Sequence, residues 1–338
     1  MKNLLVTGGA GFIGSNFIHL LMGQGGFETL ACVDQLGYAG NLENLTEVMG
    51  DARFQFIKQD ICDEAGLQAV FEKVHPDAVV HFAAESHVDR SIHSSAPFIR
   101  SNVQGTQVLL DVARGFGVRR FIHVSTDEVY GEIGSNDPAS VETDALQPRN
   151  PYSASKAASD LLVLSYVHTH DFPALITRCS NNYGPYHFPE KLIPLLITNA
   201  LEDKPIPVYG DGLQVRDWIY VQDHARAIAK LLSVGKLGEV YNIGGHNQPT
   251  NLEIVKTVLK ILGKSESLIT FVKDRPGHDR RYNLDDSKLI RDSGFAERVS
   301  LAVGLQQTVE WYLNNEAWWR RVKSGQYREY YQLQYGKI

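Results

Sequence analysis

The sequence has only three cysteines, Cys32, Cys62 and Cys179, scattered through 338 residues. That is too few and too dispersed for a disulfide framework, so buried free thiols in a reducing, cytoplasmic setting are expected. No run of about 18 apolar residues occurs, which argues against a transmembrane helix. The N-terminus leads into what reads as a core strand at 3–7, without the basic-then-apolar layout of a signal peptide. Neither sign of charge dominates: 33 Lys+Arg against 39 Asp+Glu leave −6. Without a long basic run there is no footprint of non-specific nucleic-acid binding. There is no G-x-S-x-G elbow and no P-loop. His81, His87 and His93 recur every six residues, which suits neither a helical ligand pair nor an H-E-x-x-H pattern, so no metal site is expected. Asn44-Leu45-Thr46 fits a glycosylation sequon, but without a secretory signal it reads as chance.

What is present is an ordinary globular composition, 43% hydrophobic and 21% charged. At this length roughly three quarters of the unfolded surface can be buried. Apolar β-rich runs at 3–7, 29–34, 54–60, 78–83 and 120–125 alternate with helical patterns at 12–22, 64–74 and 98–116. That alternation predicts an α/β fold, a doubly wound parallel sheet with helices on both faces. The run Phe121-Ile122-His123-Val124 suits a strand buried on both sides. A long helix at 152–170 and a strand at 174–178 follow. Further helices are expected at 193–201, 222–233, 252–262 and 301–314. The expected division is 1–180 for the sheet domain, with later segments such as 215–245 returning to it. Residues 181–338 form mainly a smaller, mixed α/β substrate-binding lobe, interleaved with the sheet. Trp311, Trp318, Trp319 and the tyrosines of 327–335 are expected to pack a C-terminal helix rather than bind bases.

Between the first strand and helix lies Thr7-Gly8-Gly9-Ala10-Gly11-Phe12-Ile13-Gly14. Glycines at 8, 11 and 14 allow a tight turn, close approach of backbone to a pyrophosphate, and close packing of helix on strand. The helix N-terminus offers free N–H groups to phosphates. The spacing, G-x-x-G-x-x-G, departs by one residue from the G-x-G-x-x-G fingerprint. Asp34 falls 20 residues past Gly14 at a strand end. It is placed to accept from a ribose 2′-hydroxyl and to repel a 2′-phosphate, so NAD is favoured over NADP. Asp60-Ile61 suits an adenine wall, or equally an ordinary strand-to-helix cap. These features make the sheet an NAD-binding Rossmann-type domain.

Tyr152-Ser153-Ala154-Ser155-Lys156 places a phenol and an ammonium at i and i+4 on one helix face. A tyrosine pKa near ~10 must fall by ~3 units to serve as a base near neutrality. A neighbouring lysine together with a cationic nicotinamide favours the phenolate in the required direction. Ser125 stands at the end of the fifth expected strand.

With these residues the chain resembles the extended short-chain dehydrogenase/reductase superfamily. Ser125-Thr126-Asp127-Glu128-Val129-Tyr130-Gly131 further resembles the active-site segment of the dTDP-glucose 4,6-dehydratases. So do the stretches at 83–91, 181–186 and 275–279, and the resemblance runs through Glu310-Trp311-Tyr312-Leu313. Related nucleotide-sugar epimerases keep the glycine loop and Tyr-x-x-x-Lys but usually lack the Asp-Glu pair. The resemblance implies Tyr152 as base for the C4 hydroxyl, Glu128 as base at C5, Asp127 as acid at C6, and Thr126 bonded to the C4 oxygen. Elimination across C5–C6 needs one base and one acid, and repulsion between the carboxyls helps keep Asp127 protonated. Hydride returned to C6 regenerates NAD, giving a tightly held cofactor and no net redox. For the two carboxyls to share a site, the strand must end by Ser125 or Thr126, since strand neighbours face opposite ways. Ser125-x-x-Glu128 also reads as a helix capping box.

The resemblance assigns Gly8, Gly11, Phe12, Ile13, Gly14, Asp34, Gln35, Leu36, Asp60, Ile61, Ala83, Ala84, Ser86, Tyr152 and Lys156 to the cofactor. It assigns Ser86, Thr126, Asn182, Lys191, Leu192, Pro207, Tyr209, Arg216, Asn251, Arg275 and His278 to the nucleotide-sugar substrate, dTDP-glucose. The physical case is strongest for Arg216 and Arg275, because a diphosphate calls for cationic donors in fork geometry. Thymine differs from uracil by one methyl, which spacing does not read. A homodimer through a bundle of the helices near 98–116 and 152–170 is implied, although helices packed on their own sheet would look the same. Alternative readings are a dehydratase or 4-epimerase of another nucleotide sugar, or a non-catalytic NAD-sensing regulator.

Overall fold

The computed structural model describes residues 2–324. The tyrosines expected between 327 and 335 therefore lie outside the described residues. Among these residues, seven strands form one all-parallel sheet. Across it they run Val240–Ile243, Ala174–Cys179, Arg120–Thr126, Ala78–His81, Asn3–Thr7, Thr29–Asp34 and Phe54–Lys58. The chain starts in the middle, winds outward through 29–34 and 54–58, then returns to 78–81 on the other side. The reversal opens a crevice at the carboxyl ends of Asn3–Thr7 and Ala78–His81, where open α/β sheets bind ligands.

Side chains alternate between two apolar layers with the period of two that a strand imposes. Leu4, Val6, Leu30, Cys32, Val80 and Ile122 face the helices Phe12–Gln24 and Val221–Val234. Leu5, Ala31, Val33, Val79 and Phe121 face Glu64–Val74, Gly105–Gly115 and Pro151–His170. A third cluster, with Tyr183, Ile197, Val208, Trp218, Val255 and Trp319, lies under the small strand pairs 181–183 with 218–220 and 206–209 with 269–272. The tryptophans 311, 318 and 319 all pack there, as expected, and Trp318 donates its indole N–H to Asn44 Oδ1 at 2.9 Å. No helix of the described residues is long and apolar enough to cross a membrane.

Local chemistry sets the ends of the site-bearing elements. Asn150 caps Pro151–His170 in a reciprocal box with Ser153, and the proline occupies the first turn, where its missing N–H costs nothing. Two expected strands prove shorter, ending at Lys58 and His81. The helix expected at 98–116 starts at Ala96 and contains a π-helical turn, Ile99–Gln104, before resuming at Gly105. The buried Asn102 in that turn bonds both backbone groups of Glu85, at 2.8 and 2.9 Å, and Ser155 Oγ at 2.8 Å. The turn thereby ties the loop after Ala78–His81 to the tyrosine-bearing helix.

Candidate active site

The glycine loop builds a cradle. Gly8 has φ +71°, and a Cβ there would stand 2.5 Å from the Ala83 nitrogen; a Cβ on Gly14 would collide with the Gly8 carbonyl. Helix Phe12–Gln24 begins at Gly11 with neither a capping side chain nor an acidic residue in its first turn, so its amides and dipole are left for an anion. Asp34 is buried at the next strand end, where its oxygens accept from Ala10 N at 3.0 Å and Leu36 N at 2.8 Å. Each oxygen keeps a lone pair for a ribose hydroxyl. Burial raises its pKa, against the lowering by those two amides. The residues present fit a dinucleotide.

Strand Arg120–Thr126 ends where two carboxyls sharing one site require, and a tight turn, Asp127–Tyr130, follows. The capping box that Ser125-x-x-Glu128 also allows does not form. Thr126 is the cap, its Oγ1 accepting from Glu128 N at 3.3 Å. The Glu128 carboxylate instead accepts from Asn150 Nδ2 at 3.3 Å. Asp127 is buried, hydrogen-bonded by Thr126 Oγ1 at 3.2 Å. Burial first, and the Glu128 charge second, push its pKa well above the usual carboxyl range. A carboxyl with a raised pKa thus stands beside a second carboxyl in one cavity.

Tyr152 and Lys156 lie on the buried face of Pro151–His170. Lys156 Nζ donates to the Val124 carbonyl at 2.8 Å. Burial pushes its pKa down to about 8, against the opposing pull of Asp160 one turn on. The phenol behaves otherwise than its spacing to lysine suggests: burial, then the Glu128 charge, raise Tyr152 well above the ordinary value, with a hydrogen bond to Thr126 opposing. The groups of the chain alone hold it neutral, and a cationic nicotinamide supplies charge of the sign needed to reverse that.

One cavity of about 410 Å³ is lined by the glycine cradle, the end of Arg120–Thr126 and the third cluster's rim. Every residue expected at the cofactor or substrate lines it except Leu36 and Asp60. Leu36, at φ +56°, uses its amide to hold Asp34. Asp60 pairs with Arg100 at 2.7 Å and accepts from Cys62 N at 2.9 Å, while Asp63 caps the following helix by accepting from Gly66 N. Arg216 is buried in the same cavity wall, within electrostatic reach of Asp127 and Glu128. Its guanidinium donates to the carbonyls of Val215 and Asp279 and lies 4.5 Å from the Tyr282 ring centre. Of the histidines weighed for a metal, His81 bridges Thr7 and Thr106 in the core, while His87 lines the cavity beside Glu190 at 3.5 Å.

Sequence reasoning passed over Asp89, Glu190 and Asn150. Asn150 is legible as a cap immediately before a proline; Asp89 lies in the stretch 83–91, where spacing gives it no role; Glu190 has no local signal.

Sheet, cradle and Tyr–Lys helix together define a dinucleotide-dependent enzyme of the extended short-chain dehydrogenase/reductase type. A family profile for GDP-mannose 4,6 dehydratase matches residues 5–308. The chain belongs to that family. It is 51% identical to a dTDP-glucose 4,6-dehydratase of Neisseria meningitidis, over 97% of this chain and 98% of the relative. It is likewise 51% identical to that of an Actinoplanes species, over 94% and 99%. The dTDP-glucose 4,6-dehydratase of Streptomyces venezuelae, solved with NAD and dTDP, superposes with TM-score 0.92 at 48% identity, covering 96% of this chain and 100% of that one. A UDP-glucose 4-epimerase of Thermus thermophilus, solved with NAD, gives 0.86 at 30% identity, over 93% and 100%.

Proposed function

We propose that this chain converts dTDP-glucose into dTDP-4-keto-6-deoxy-glucose, acting as an NAD-dependent hydro-lyase. The observation that carries the reading is the pairing of buried Asp127, whose pKa burial and the Glu128 charge raise, with half-buried Glu128 beside Tyr152 in one cavity. The names of the relatives at 51% identity, and the NAD and dTDP bound in the superposed dehydratase, support the substrate and cofactor.

Bound NAD supplies the acceptor for hydride from C4 and the donor of the same hydride to C6. Gly8, Gly11 and Gly14 would admit its pyrophosphate and Asp34 a ribose. Tyr152 takes the C4 hydroxyl proton, with Lys156 and Thr126 favouring the phenolate. The C4 ketone acidifies C5. Glu128 removes the C5 proton, and Asp127 protonates the departing C6 hydroxyl as water. Arg275, Tyr209 and Lys191 face the diphosphate in this reading.

The test is mass spectrometry after incubation of the protein, with NAD present, with dTDP-glucose and separately with UDP-glucose. Loss of one water from dTDP-glucose supports the reading; loss from UDP-glucose alone moves the specificity; an unchanged mass with both overturns it. We further propose a cytoplasmic homodimer. Free Cys32, Cys62 and Cys179 support the reducing compartment. Exposed Ile99 and Leu161, on the two elements expected to pair, support the interface. Light scattering showing a monomer would overturn it.

A further inference from the structure

The short segment Ser86–Asp89 lines the cavity. It follows the loop behind Ala78–His81 and enters the helix Val88–His93. Three side chains read above as facing the diphosphate reach back to this segment. Lys191 Nζ donates to the Ser86 carbonyl at 2.9 Å. The Tyr209 hydroxyl donates to Asp89 Oδ2 at 3.0 Å, and Arg275 Nη1 to Asp89 Oδ1 at 3.1 Å. Asp89 is 5% exposed, and the reaction above makes no use of it.

A buried carboxylate beside an anion site is opposed by plain Coulomb repulsion, so its place calls for an offsetting gain. Arginine recognises phosphate through a planar fork, and a fork turned away contributes little. Ordering such a side chain before the ligand arrives removes a cost of binding. We propose that Asp89 is a positioning residue for the substrate diphosphate, holding the Arg275 guanidinium and the Tyr209 hydroxyl in their binding orientation. The inference rests on the reading that Arg275 and Tyr209 face that diphosphate.

The two effects of Asp89 have opposite signs, which makes the claim testable. Removing its charge alone strengthens binding of an anion; removing its hold on Arg275 weakens it. The experiment is calorimetric titration of dTDP into the NAD-loaded protein, with steady-state kinetics, for the wild type, Asp89→Asn, Arg275→Met and the double variant. The expected result for Asp89→Asn is a rise of about tenfold in both Kd for dTDP and KM for dTDP-glucose, the scale of one charge-assisted hydrogen bond. Its kcat should change by less than about threefold, a split that general loss of structure does not give. The double variant should bind more weakly than Arg275→Met alone by no more than the smaller loss that Tyr209→Phe shows. Tyr209→Phe leaves Asp89 in place and should show a smaller loss that disappears in the Asp89→Asn background. Tighter or unchanged dTDP binding by Asp89→Asn, or full additivity with Arg275→Met, overturns the role of Asp89. Unchanged binding by Arg275→Met instead overturns the placement of the diphosphate, and this inference with it.

Discussion

Asp127 and Glu128 are neighbours in the chain in different environments: Asp127 is buried against Thr126, whereas Glu128 is half-buried and held by Asn150 Nδ2 at 3.3 Å. The turn at the strand end makes this division possible, by turning both carboxyls into one cavity. It predicts different failures. Asp127→Asn keeps the volume but cannot donate a proton, so kcat should fall by about 10²–10⁴-fold. C4 oxidation should persist, read as reduced-cofactor absorbance accumulating in stopped flow. Absence of that absorbance would mean that Asp127 acts in the first step.

The proposed mechanism gives Lys156 an alkaline limit. Burial holds its pKa at about 8, so the ammonium that this mechanism uses to favour the Tyr152 phenolate is present below that pH and lost above it. Turnover should decline above pH 8. Asp160→Asn removes the charge that raises the lysine pKa, so the limb should move to lower pH. The pH–kcat profile checks this, and an unmoved limb would separate Asp160 from Lys156.

The same shift carries a stability consequence. The folded lysine titrates near 8 and the unfolded one near ~10.4, so the unfolded chain holds more protons between those values. This group therefore adds stability as pH rises through that window. Melting temperatures across it should rise less in Lys156→Met than in the wild type.

Gly14→Ala puts a Cβ onto the Gly8 carbonyl, at the point where helix and cradle meet. Because that contact is backbone, it cannot swing away. The variant is expected to purify with little bound NAD and to lose activity that added NAD restores only in part. Full cofactor content by absorbance would show that the loop widens at no cost.

The thymine methyl offers about 1–3 kcal/mol in an apolar pocket. The kcat/KM for dTDP-glucose should therefore exceed that for UDP-glucose by roughly 10–200-fold. Equal values would show a pocket that does not feel the methyl.

The sheet was legible because hydrophobic period and length are local properties: Asn3–Thr7, Thr29–Asp34, Glu64–Val74 and Leu301–Asn314 fall at the expected bounds. The π-turn was not, because Asn102 makes it through a loop distant in sequence. The same divide runs through the site. Gly8, Asp34, Tyr152 and Lys156 declare themselves by spacing, whereas the roles of Asp127 and Glu128 came from family resemblance. Asp60 reads equally as an adenine wall or a cap, but the helix cap is Asp63; Asp60 pairs with Arg100 and accepts from Cys62 N, and Ile61 beside it lines the cavity. Asp89 and Glu190 acquire meaning only once residues about a hundred positions apart share a wall.

The most direct test of the central claim is the isotope content of C5 after turnover of dTDP-glucose in heavy water, in the wild type and in Glu128→Gln. If Glu128 is the C5 base, the wild-type product carries deuterium at C5, and the variant stalls with reduced cofactor and unexchanged sugar. Deuterated product formed by Glu128→Gln at the wild-type rate would contradict the account.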